Sequence, residues 1–130
     1  MKNKGFTLIE LIMSIVIMGI VVVTVALAYG QIINSMVRST DISKAVNLSE
    51  LEFSIVNSIS YTDASLANGT NTLAANYQSS GYDLRRQVSY DFGTDATPQS
   101  LKRITVTVYR TGSSTPLIST TTLRAKNVNW

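Results

Sequence analysis

The sequence predicts an α+β fold: one long N-terminal helix, membrane-embedded first and amphipathic later, packed on a small antiparallel sheet of three to four strands. Three observations carry that prediction. Residues 11–37 contain no charged side chain. A helical spacing of apolar residues continues to about Ser60. From Arg85 onward the apolar period changes from that of a helix to that of a strand.

The helix begins in the apolar segment. Lys2 and Lys4 precede Gly5, then Phe6-Thr7-Leu8-Ile9-Glu10, then an apolar run from Leu11 to Tyr29. About 20 such residues, rising about 1.5 Å each, cross a hydrocarbon core of about 30 Å. The lysines precede the span, which places the N-terminus on the cytoplasmic side. Further on, Leu48, Leu51, Ile55 and Ile59 fall on one stripe, with Val56 at its edge. These features predict one helix from about Phe6 to about Ser60. The alternative is two helices, split near Gly30 or Ser39-Thr40.

Residues 61–83 are rich in Asn, Ser, Thr, Ala and Gly, and Asn68-Gly69 and Ser80-Gly81 are turn signals. They predict an irregular connector. Val88, Tyr90 and Phe92 then alternate with polar residues, as do Ile104, Val106 and Val108, and a threonine-rich run covers Leu117–Leu123. Three antiparallel strands follow, with one face on the amphipathic helix. A fourth short strand is expected in the connector or at Val128–Trp130.

Composition removes several functions. The 130 residues suit one small domain. With 0 Cys and 0 His, disulfide scaffolds, thiolate zinc sites and His-based acid–base catalysis are excluded. No catalytic constellation stands out, so an enzyme is not expected, and no cofactor is implied. Asp83, Asp91 and Asp95 match no calcium loop and read as solvated loop acids. Charge is polarised: residues 38–83 carry two basic and five acidic side chains, residues 84–130 seven basic and two acidic. A basic sheet that captures DNA is one reading. Solubility and complementarity between subunits is the favoured one.

Glu10 is the anomaly. An acid inside an apolar span is costly and tends to be functional. Gly5-Phe6-Thr7-Leu8-Ile9-Glu10, behind a short basic leader and ahead of an apolar stretch, resembles the prepilin signal of type IV pilins and of type II secretion pseudopilins. The resemblance covers residues 1 to about 30. It implies a leader peptide at 1–5, a filament-core helix at 6–30 and a periplasmic or extracellular headgroup at 31–130. It implies a prepilin peptidase that cuts after Gly5 and methylates Phe6. Glu10 matches the family's acidic residue, which in a filament would pair with the N-terminal amine of a neighbouring subunit. Such a pair in an apolar core is barely screened and acts as a register device. The partners implied are other pilin subunits, the peptidase and an inner-membrane assembly platform. The location implied is a single-pass inner-membrane precursor, then a periplasmic or cell-surface filament. Nucleic acid is not expected as a partner.

Leu27 stands where many major pilins carry a proline, which points to an unbroken helix and to a minor pilin or pseudopilin. Alternatives are a major shaft pilin and a filament-displayed subunit that binds DNA or a surface. A competing cleavage pattern, Ala26-Leu27-Ala28, fits an ordinary secretory signal. It would start the mature chain at Tyr29 and leave Gly5-Phe6 and Glu10 unexplained.

Overall fold

The computed structural model describes residues 7–126. The chain divides into two compact units, Met1–Ser39 and Thr40–Trp130. One helix, α1, covers Leu8–Ser58. Four strands follow: β1 Asn71–Ala74, β2 Tyr82–Phe92, β3 Leu101–Arg110 and β4 Pro116–Ala125. They form one antiparallel sheet in the order β1-β2-β3-β4. The fold is α+β, as expected.

Helical structure runs unbroken through Leu27, Gly30 and Ser39-Thr40, so the two-helix alternative does not hold. In the first unit the apolar side chains stand exposed around the helix. This helix is long and apolar enough to cross a membrane. Two of its hydroxyls are satisfied locally: Ser14 Oγ donates to Glu10 O at 2.7 Å, and Thr24 Oγ1 to Val21 O at 2.8 Å. Such back-bonding lets polar side chains sit in a hydrocarbon medium without stranded donors.

In the second unit the face of α1 turned to the sheet is Ala45, Ser49, Glu52 and Val56. That corrects the expected stripe in part: Leu48 and Ile59 pack against the core and Val56 is buried, whereas its other two residues turn outward. Leu51 and Ile55 are 38% and 39% exposed, whereas Glu52 is 5% exposed. The helix is rotated because Ala45 and Ser49 are small enough for close approach and because the sheet supplies partners for Glu52. The core has two clusters. Ala45 packs with Tyr82, Leu84, Val106 and Val108. Val56 packs with Leu66, Val88 and Ile104.

The end of α1 is capped from far away. The Arg124 guanidinium, on β4, donates to the carbonyls of Val56 and Ile59. It thereby engages acceptors that a helix terminus leaves open.

The connector is more ordered than its composition suggests. It holds short 3-10 turns at Ala64–Leu66 and Tyr77–Ser79, with β1 between them. β1 is the expected fourth strand. The other location considered, Val128–Trp130, lies outside the described residues, as do Gly5 and Phe6. The β2–β3 loop turns at Gly93, where φ is +68° and an added Cβ would lie 2.5 Å from the Gln99 carbonyl oxygen. Only glycine fits there.

Candidate functional site

The first candidate is the start of α1. Thr7 N–H and Thr7 Oγ1 each donate to Glu10 Oε2 at 2.9 Å, and Glu10 N–H donates to Thr7 Oγ1 at 3.4 Å. This reciprocal arrangement is a capping box, in which the third residue of the helix bonds back to the residue that precedes it. It satisfies two donors that an apolar medium would leave stranded. The pattern Thr7-x-x-Glu10 is its sequence signal, and the reading of Glu10 as an assembly residue alone passed over it. Glu10 therefore already has a role within its own subunit, and one carboxylate oxygen, Oε2, takes both bonds from Thr7. Gly5 and Phe6 adjoin this box in sequence.

The second candidate is the charged surface of the headgroup, and the tertiary structure changes its meaning. The basic residues after Leu84 are engaged inside the unit. Arg86 meets Glu52 at 2.6 Å, Lys102 meets Asp95 at 2.8 Å, Arg110 meets Asp41 at 2.9 Å, and Arg103 pairs with Asp91. Arg124 holds the helix terminus. Lys126 Nζ donates to the carbonyls of Asp95 and Thr97 at 2.9 and 3.2 Å. Arg85 lies over the Tyr109 ring at 5.5 Å. Two of these ion pairs, Arg86–Glu52 and Arg110–Asp41, join residues 84–130 to the acidic segment 38–83, and the other two lie within residues 84–130.

Two of these groups are deeply buried. Lys102 is fully buried, with its ammonium 4.4 Å from the Tyr61 ring centroid and 5.7 Å from that of Tyr90. It donates to Tyr61 O at 2.8 Å. Tyr61 OH in turn bonds Ser100 Oγ at 2.8 Å, and Tyr90 OH accepts from Asp95 N–H at 2.7 Å. This cluster ties the segment after α1 to the β2–β3 loop. Glu52 is the other. It accepts from Arg86 and, at 2.8 Å, from Tyr77 OH. Burial, then the Glu52 carboxylate, push the Tyr77 hydroxyl up to about 12.

The acids considered for calcium are dispersed. Asp83 accepts from Asn76 N–H and Thr111 Oγ1, both at 2.9 Å, Asp91 faces Arg103, and Asp95 faces Lys102. Among the described residues no three His, Cys, Asp or Glu side chains converge on a metal position.

These contacts set an acid limit. The Lys102 ammonium holds the Asp95 carboxyl below its usual range, Asn76 N–H and the Thr111 hydroxyl do so for Asp83, and Ser65 does so for Asp63. A carboxyl with a lowered folded value stabilises the fold above its unfolded value and loses that contribution as pH falls through the folded one. The melting temperature is expected to be level from neutrality to about pH 5 and to fall below about pH 4. Thermal melts across that range check this, and Asp95→Asn should flatten the decline. A melting temperature unchanged at about pH 3 would contradict it.

Residues 1–26 match the model of the prokaryotic N-terminal methylation motif, the prepilin signal of type IV pilins and pseudopilins. No curated protein and no solved structure matches the chain.

Proposed function

We propose that this chain is a minor pilin or pseudopilin, a structural subunit of a type IV pilus or of a type II secretion-like filament. The methylation motif over residues 1–26 carries the reading. The long apolar helix and the α+β headgroup agree with it. Residues 1–5 are the leader that a prepilin peptidase removes after Gly5, and Phe6 is the residue it methylates. Residues 6–30 anchor the precursor in the inner membrane, with the N-terminus cytoplasmic, and later pack in the filament core. Residues 31–130 form the periplasmic or extracellular headgroup. The assembly platform extracts the subunit, and Glu10 pairs with the N-terminal amine of a neighbour. Leu27, in place of a helix-breaking proline, supports the minor role over the shaft role.

The mature N-terminus tests this. Intact-mass measurement and N-terminal sequencing of the chain from membranes should read Phe6, with a mass that has lost residues 1–5 and gained one methyl group. A chain that begins at Tyr29 would make the segment an ordinary secretory signal and overturn the proposal.

A further inference from the structure

We infer that the segment after Lys126, Asn127-Val128-Asn129-Trp130, docks on the β2–β3 loop of its own chain and seats the Trp130 indole in the groove beside Phe92 and Pro98. The contact lies within one headgroup and does not rest on the filament reading.

The groove is open and already built. Phe92, Gly93, Thr97, Pro98 and Gln99 line about 400 Å³ of it, and none of the five carries a charge. Phe92 is 64% exposed, an apolar surface at the end of β2 that has no cover among the described residues. The polar atoms of the wall are satisfied from within. Thr97 Oγ1 accepts from Thr94 N–H at 2.9 Å and lies 2.8 and 2.9 Å from the carbonyl oxygens of Thr94 and Gln99. The loop is also held from behind, by Asp95 N–H on the Tyr90 hydroxyl at 2.7 Å and by the Lys126 ammonium on two of its carbonyls. A fixed, uncharged groove with an aromatic wall suits a flat apolar side chain.

The chain itself brings one to the place. Lys126 N–H donates to Ser100 O at 3.0 Å, so the chain leaves β4 beside the loop. Lys126 Nζ reaches the carbonyl of Thr97 at 3.2 Å, and Thr97 is part of the groove wall. The groove is thus one lysine side chain away from the point of departure, and four further residues span up to about 13 Å. Those four carry no charge, like the lining. Val128 and Trp130 are two positions apart and share one side of an extended segment. An indole supplies a large apolar face and an N–H for a wet rim. A tether this short gives an effective concentration in the millimolar range, which favours the chain's own segment over a second copy or a free peptide.

Trp130 is the single tryptophan, so it reports its own surroundings. In the full chain in detergent its emission should lie to the blue of N-acetyltryptophanamide. Acrylamide should quench it about threefold less, since such a pocket covers about 70% of what it holds. Phe92→Ser should remove both differences, and the exposure of Phe92 leaves the fold intact. A second measurement places the indole. Tryptophan quenches a bimane label at near contact, and the chain has 0 Cys. Bimane on Gln99→Cys should be quenched and should recover when Trp130→Phe is added. Bimane on Ser114→Cys, in the β3–β4 turn at the other end of the sheet, should stay bright. Labelled Gln99→Cys/Trp130→Phe mixed with unlabelled wild type should stay bright as well. Emission and quenching like the free amide, no response to Phe92→Ser, or equal quenching of the two labels would overturn the inference. So would quenching in the mixture, which would put a second copy in the groove, or strong quenching of Trp130 by a brominated detergent, which would put the indole in the micelle.

Discussion

Glu10→Gln is expected to yield a chain that inserts in the membrane, is cut after Gly5, and fails to enter filaments. Gln serves as well as Glu at the third position of a capping box, so the bonds with Thr7 persist and the helix start is kept. A neutral amide is also easier to hold in an apolar medium than a carboxylate. What disappears is the charge. In the proposed filament the amine of a neighbour's Phe6 would then stand unpaired in a low-dielectric core. Removing one partner of a buried pair is among the largest single-residue effects. Recovery of the variant in sheared filaments should fall about a hundredfold against the wild type, with the membrane fraction unchanged. Thr7→Val separates the two roles of Glu10, since it breaks the box and leaves the charge. It should assemble to within a factor of about three of the wild type, because an N-cap contributes far less than a buried pair. Wild-type recovery of the Gln variant would leave Glu10 with its capping role alone.

Glu52→Ala is expected to be the most destabilising single change in the headgroup. It would leave the Arg86 guanidinium, whose side chain is 11% exposed, without its carboxylate. Arg86 would keep only a long bond from Nη2 to the Ser65 carbonyl, at 3.4 Å, a neutral acceptor that does not replace a carboxylate. The Tyr77 hydroxyl would lose its acceptor as well. A stranded buried charge costs about 3–5 kcal/mol, a large share of the stability of a domain this size. The double variant Glu52→Leu/Arg86→Met removes both charges and keeps volume. It should recover most of the loss, since apolar replacements of buried pairs are often neutral or better. Denaturant unfolding of the full chain in detergent compares the three proteins. A single variant within about 1 kcal/mol of the wild type would mean that water reaches Arg86 and that the pair is a surface contact.

Local pattern alone carried the N-terminal half of the molecule. A charge-free stretch this long reads as a helix able to cross a membrane from composition alone, and Gly5-Phe6 with Glu10 is a motif that lies within a few residues. The capping box has a signal of the same kind, a Thr and a Glu three positions apart, but the reading of Glu10 as an assembly residue passed over it. Strands β2, β3 and β4 were legible because alternation with period two is a property of the strand itself.

The rotation of α1 in the headgroup was a different matter. Leu51 and Ile55 mark the more apolar stripe, yet Glu52 is the residue that is buried, because Arg86 arrives from 34 positions away on β2. Lys102, the largest of the fully buried side chains, sits in a strand position that reads as buried by alternation and as exposed by residue type. Only the rings of Tyr61 and Tyr90 and the Asp95 carboxylate decide between them. The charge excess of residues 84–130 left a basic surface open as the lesser reading, and only strand register showed that these bases meet an acid, a carbonyl or, for Arg85, the Tyr109 ring. The sequence by itself determined the long helix, strands β2 to β4 and which end carries the methylation motif, since those depend on neighbours a few residues apart. Which polar side chains could be buried was decided by the tertiary structure, because a buried charge is tolerated only where a partner from another element meets it, and that meeting is set by register and packing.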